Sequence, residues 1–246
     1  MRQIPRTILA LCLGLVFATV LWSQQVQVEE LVLSNGMKLL LVPRKGDPNV
    51  AAGWVAKVGS VNERPGITGV SHLFEHMMFK GTRTIGTSNI KEDLRLMDQI
   101  DAVVANLRNE EQAQVRRLQL GEIANLTDPQ NRSPRQNELL AELDRLQKKQ
   151  KDFLVKNEFD KIYTAAGASG MNAGTSQDFT VYFINVPANK LELWFWMESD
   201  RLMNPVFREF YAEKDVVREE RRLGVESTII PATSCWPSPG TSTRRN

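Results

Sequence analysis

At 246 residues, 42% hydrophobic and 24% charged, the chain has the composition of a folded protein, with room for one large domain or two small ones. A formal net charge of +2 with no basic block excludes the usual footprint of nucleic-acid binding. Its two cysteines, Cys12 and Cys235, are far apart, and the first falls in a segment expected to be removed, so a disulfide framework is excluded as well.

Residues 1–23 read as a secretory signal peptide. Arg2 and Arg6 form the positive n-region, an apolar run from Ile8 to Trp22 follows, and polar Ser23-Gln24-Gln25 ends it. The run is shorter than the ~20 apolar residues of a comfortable membrane span. The mature protein is therefore expected to be extracytoplasmic, periplasmic or secreted. Its one expected link to a membrane is this segment left uncleaved as an anchor.

Two apolar runs, Val28–Leu33 and Met37–Val42, flank Ser34-Asn35-Gly36 and predict a β-hairpin whose Asn-Gly turn takes positive φ at both residues. A third strand is expected from Asn49 to Val58, carrying Trp54. After a loop over 59–66 the spacing predicts a helix from about Thr68 to Gly81. From about Ser88 to Phe159 the pattern is helical and strongly charged. Leu94, Met97, Ile100, Val104 and Leu107 recur at three-four spacing, as do Leu139, Leu143 and Leu146 beyond Pro129 and Pro134. Two long amphipathic helices folded back on each other fit this best, their charges on solvated faces. Next comes a glycine-punctuated stretch around Met171-Asn172-Ala173, and then a strand over 179–186. A helix over 188–202 follows, its Trp194-Phe195-Trp196-Met197 cluster expected in the core. The last helix, Phe207 to Leu223, places Glu213, Val216, Val217 and Glu220 on one face. From Thr228 to Asn246 no periodicity remains, and a disordered or aberrant tail is expected.

The two histidines of the chain, His72 and His76, lie four residues apart, with Glu75 directly before the second. On a helix, positions i, i+3 and i+4 share a face, so two imidazoles and a carboxylate converge on one volume. Catalytic zinc takes three protein ligands and keeps a fourth position open. In the His-x-x-Glu-His order the histidines serve as ligands and Glu75 as the base for a water whose pKa the metal lowers to about 7. With no further histidine, the third ligand must be a carboxylate. Glu220 fits the pattern best. Glu219 and Glu213 stay open beside it, because a charge run such as 218–222 is usually a solvent face.

The stretch around His72 resembles the pitrilysin/insulinase family of zinc metallopeptidases, which includes the mitochondrial processing peptidases. The matching residues are Pro-Gly-Ile-Thr-Gly (65–69), His-Leu-Phe-Glu-His (72–76) and Met-Phe-Lys-Gly-Thr (78–82). Asn172-Ala173-Gly174-Thr175-Ser176 is similar to the family's edge strand beside the metal, and the run from Glu213 to Glu220 to its third-ligand helix. The resemblance covers residues 28–226. It implies one zinc ion per chain, held by His72, His76 and Glu220, with Glu75 catalytic and Glu213 an additional acidic residue near the site. It also implies a peptide or unfolded-protein substrate that adds as a strand beside Asn172 and Ala173. The implied fold is α+β: an antiparallel-rich sheet packed with helices as a processing-peptidase-like half-domain over 24–227, with a long helical hairpin inserted at 91–160. The family further implies a homologous C-terminal domain or partner subunit. Because the chain loses its pattern after residue 227, the expectation is of an incomplete half. The alternative function is then a non-catalytic zinc-binding half that binds peptides or a partner.

Overall fold

The computed structural model describes residues 26–223; the expected signal peptide and the Ser/Thr/Pro tail lie outside the described residues. Two units divide between Asp47 and Pro48. Among the described residues, no helix is long and apolar enough to cross a membrane.

The first unit holds the expected hairpin, β1 (Glu29–Val32) antiparallel to β2 (Lys38–Leu41), with Leu31 opposite Leu39. Its turn differs from expectation. Only Gly36 takes positive φ, at +84°. The Gly36 N–H donates to the Leu33 carbonyl at 2.9 Å, and the Leu33 N–H to the Met37 carbonyl at 2.8 Å. Asn35 stays at negative φ and accepts from the Met37 N–H through its side chain at 3.0 Å. A three-residue loop puts the left-handed demand on one residue, which glycine meets without steric cost.

The second unit is built on a three-stranded antiparallel sheet. Its strands are β3 (Asn49–Ala56), β4 (Ser169–Thr175) and β5 (Thr180–Pro187), in the order β3-β5-β4. The period of two is plain in β5, where Thr180, Tyr182, Ile184 and Val186 are buried. Ile184 and Val186 form the main core with Ala52, Phe159, Tyr163, Trp194 and Met197. Six helices complete the described residues: α1 (Val70–Met77), α2 (Ile90–Gln119), α3 (Pro134–Lys151), α4 (Glu158–Ala165), α5 (Leu191–Met203) and α6 (Phe210–Arg221). Sheet and helices are mixed along the chain, and the fold class is α+β as expected.

The helical hairpin is present as α2 and α3, with starts set by local chemistry. The Asn89 side chain accepts from the Glu92 N–H at 3.2 Å, and Ser133 Oγ accepts from the Gln136 N–H at 3.0 Å with Pro134 in the first turn. Its buried seam is Leu96, Ile100 and Leu146, backed by Val103, Val104 and Leu143. Leu96, rather than the expected Leu94 and Met97, sits at the centre of that seam. In α5 the aromatic cluster splits. Trp194, Met197, Glu198 and Arg201 occupy the inner face at i, i+3, i+4 and i+7, while Phe195 and Trp196 face outward and are about half exposed.

Behind the first helix, Glu198 accepts from Trp54 Nε1 at 2.8 Å and from the Tyr163 hydroxyl at 2.6 Å. Arg201 is buried between the rings of Phe79 and Phe159, 5.0 and 4.6 Å from their centroids. This network ties β3, α4 and α5 together.

Candidate metal centre

Helix α1 is shorter than its sequence predicts. It begins at Val70 after Gly69, whose φ is +95°, and ends at Met77. Beyond Met77 the bonds tighten to i→i+3, with Phe79 N–H donating to the His76 carbonyl and Lys80 N–H to Met77, both at 3.1 Å. Gly81 therefore lies in the following loop. At φ +105° a Cβ there would stand 2.3 Å from the Ile85 carbonyl oxygen, so only glycine fits. The helix start is capped from outside. Glu63 accepts from the Gly69 and Ser71 N–H groups, each at 2.8 Å, satisfying donors that a helix N-terminus leaves without partners. Burial pulls the Glu63 carboxyl up, but these bonds outweigh it and hold the group below the usual carboxylate range.

Helices α1 and α6 bring three donor atoms together. His72 Nε2 and His76 Nε2 are 3.1 Å apart, and Glu220 Oε2 is 3.5 Å from each. Donors held at about 2.0–2.2 Å around a tetrahedral zinc ion lie about 3.3–3.6 Å apart. Both edges to Glu220 fit that spacing, the edge between the two histidines is about 0.2 Å shorter, and the donor set, two imidazoles and a carboxylate, suits zinc. The three donors, all within 4.8 Å of one another, could hold a metal ion.

The carboxylates left open by the sequence pattern take separate places. Glu219 pairs with Arg222 at 2.6 Å. Glu213 Oε1 lies 2.9 Å from His76 Nδ1, the nitrogen facing away from the triangle, and Glu213 Oε2 is 2.6 Å from Lys80 Nζ. Burial pulls Glu213 up, yet the bonds to Lys80 and His76 outweigh it and hold it below the usual carboxylate range. With an ionised acceptor on Nδ1, His76 carries its proton there and presents the Nε2 lone pair to the triangle. Glu220 is half exposed. Its side chain is 47% exposed, and its neighbour Val216 is exposed too, while Val217 is buried. The helix turns Val217 into the protein and leaves Glu220 toward solvent.

Glu75 is buried at the wall of a cleft of about 500 Å³, which His76, Lys80, Asn172, Ala173 and Glu213 also line. Asn172 and Ala173 lie on β4, which ends the sheet order, opposite Phe183 and Tyr182 of β5. One Glu75 oxygen, Oε2, accepts from the Thr175 hydroxyl at 2.5 Å. Burial first, and the Glu75 charge second, push the Tyr182 hydroxyl far up, keeping that phenol neutral. Thr175, Lys80 and Glu63 carry no role of their own in the sequence reading, although the first two fall inside the motifs that carry the resemblance, because each makes its contact across loops or strands.

Residues 39–112 match the family model described as Insulinase (Peptidase family M16). A protein from Rickettsia bellii described as an uncharacterized zinc protease is 43% identical over 61 residues, 25% of this chain and 15% of that protein. Zinc protease PqqE of Helicobacter pylori is 26% identical over 205 residues, 82% of this chain and 30% of that protein. The crystal structure of a protease from Helicobacter pylori covers 81% of this chain and 32% of its own, with a TM-score of 0.49 and 23% identity. The chain thus spans less than a third of the length of these relatives. The His-x-x-Glu-His stretch lies inside the matched residues, and over them the chain is similar to the insulinase family of peptidases.

Proposed function

We propose that this chain is the metal-bearing part of a zinc-dependent endopeptidase, with His72, His76 and Glu220 as ligands of one zinc ion and Glu75 as general base. The observation that carries the reading is the triangle of 3.1, 3.5 and 3.5 Å among the three donors, with a buried carboxylate from the same helix face at the cleft wall beside it. When bound, the metal supplies Lewis acidity, polarising a peptide carbonyl and acidifying water to a pKa of about 7. Glu75 takes a proton from the attacking water and returns it to the leaving amine. Glu213 and Lys80 hold the His76 ring in the orientation that ligation needs. The backbone of β4 at Asn172 and Ala173 receives an extended peptide as an added strand, which demands little of its sequence.

Residues 24–227 would form the metallopeptidase half-domain, with 91–160 as a helical insertion. The substrate class is peptide or unfolded protein. A homologous second domain or partner subunit would close over the cleft, in keeping with the greater length of the relatives, and the setting is extracytoplasmic.

The test is metal analysis of wild type and Glu75→Gln, alongside cleavage of an unstructured reporter peptide. Near-stoichiometric zinc is expected in both, with turnover reduced about 10²–10⁴-fold in the variant, the usual worth of a positioned base. A wild-type chain without zinc would overturn the reading. Zinc without wild-type cleavage would replace it with a zinc-holding, peptide-binding unit.

A further inference from the structure

Glu75 is 9% exposed, and a residue from another element holds it. Thr175 closes β4, where it pairs with Thr180 of β5, so its backbone is fixed by the sheet. The Thr180 hydroxyl donates to the Val58 carbonyl at 2.9 Å, which commits its hydrogen. The hydroxyl hydrogen of Thr175 is directed to Glu75 Oε2 at 2.5 Å. A glutamate side chain has three rotatable bonds, and a short hydrogen bond to one oxygen selects one of its rotamers. With Oε2 engaged toward the sheet, Oε1 remains for the cleft. The same strand carries Asn172 and Ala173 along that cleft, three and two residues earlier.

We propose that Thr175 is a positioning residue for Glu75: its hydroxyl fixes Oε2 so that Oε1 addresses the attacking water, and it ties the base to the strand beside which a peptide would lie. The proposal rests on the peptidase reading of the site. Its mechanical content is simple. A β-strand that holds both the base and the peptide backbone keeps their spacing constant, and that spacing controls the efficiency of proton transfer.

Thr175→Val removes the donor while keeping the shape and the strand preference of the side chain, and Thr175→Ser restores the donor. Wild type, both variants and Glu75→Gln are compared, zinc-loaded, by steady-state cleavage of the reporter peptide, by metal content and by crystallography. The expected result for Thr175→Val is a kcat lowered about 10–100-fold with KM and zinc content unchanged, and for Thr175→Ser a kcat within about threefold of wild type. In the crystals, the Glu75 carboxylate should leave β4 in the valine variant and stay in the serine variant. A valine variant with wild-type kcat, an unmoved Glu75 in its crystal, or a serine variant as slow as the valine one would each overturn the proposal. If wild type cleaves no faster than Glu75→Gln, the peptidase reading fails, and the position of Glu75 in the paired crystals still decides whether Thr175 holds it.

Discussion

His76 has two ring nitrogens with two tasks. Nε2 faces His72 and Glu220, and Nδ1 faces Glu213, whose other oxygen is held by Lys80. Replacing Glu213 by Gln keeps one acceptor but removes the charge that Lys80 balances, so the ring loses its fixed tautomer. Zinc affinity should fall about 10–100-fold in competition with a chelator, the range for outer carboxylates on metal-bound histidine. His72→Ala should abolish tight binding, since it removes a donor outright. At this scale the sequence was most informative where local spacing decides the outcome. His72, Glu75 and His76 share a helix face whatever the rest of the chain does. Among Glu213, Glu219 and Glu220 the pattern favoured Glu220 but left the other two open, because the choice depends on how α6 rotates against α1. The bond of Thr175 to Glu75 was not legible for the same reason: it joins residues 100 positions apart.

An eight-residue helix is marginal by itself, and α1 depends on its cap and its packing. Glu63 supplies the cap with two hydrogen bonds, and its folded carboxyl lies below the ordinary range. The sign of the linkage follows. A carboxyl with a depressed folded pKa stabilises the protein fully above its unfolded value, and the contribution is lost as pH falls through the folded value. Glu63→Gln should therefore cost about 1 kcal/mol at neutral pH, a typical cap value. The gap from wild type should narrow through the acid range and close below the folded pKa. Urea midpoints of both proteins from pH 7 to pH 3 would check this; a gap that stays constant would rule out the charged cap. Element ends were the weakest part of the sequence reading. The pattern placed the helix, but its early stop at Met77 reflects tightened bonds that lead into the Gly81 loop. The hairpin was placed correctly and its turn geometry was not, since Asn35 and Gly36 divide the work differently from a two-residue turn.

Across the second unit, a buried ion pair connects the elements around the candidate metal centre. Arg208, just before α6, pairs through Nε with Asp93 in the first turn of α2, and both are essentially without solvent exposure. The rest of the guanidinium donates to the Thr82 carbonyl at 2.6 Å, Ile85 at 3.1 Å and Lys80 at 3.2 Å, gathering the loop that leaves α1. Asp93 also accepts from Gln150 of α3 at 2.9 Å. The pair thus joins α1, α6 and the helical hairpin, although the hairpin's charge pattern read only as solvated faces. An acidic residue in a first helical turn gives no sign in sequence of being buried. Removing one partner strands the other's charge, so Arg208→Met should destabilise by about 3–5 kcal/mol. Asp93→Asn should cost less, because Gln150 and the three carbonyls keep most of the network occupied. In the double variant neither charge remains, and the loss should fall short of the sum of the singles by about 0.5–3 kcal/mol, measured by chemical denaturation as a double-mutant cycle. The Lys80 and Thr82 carbonyls lose the Arg208 donor in the double variant, while Ile85 keeps the Thr82 N–H, so full recovery is not expected. Zinc affinity should fall in Arg208→Met as well, because the placement of Glu220 against the two histidines depends on how α6 leaves this clamp. Additive losses would mean that Asp93 and Arg208 act independently, and unchanged zinc affinity would mean that the clamp stabilises the fold without setting the site.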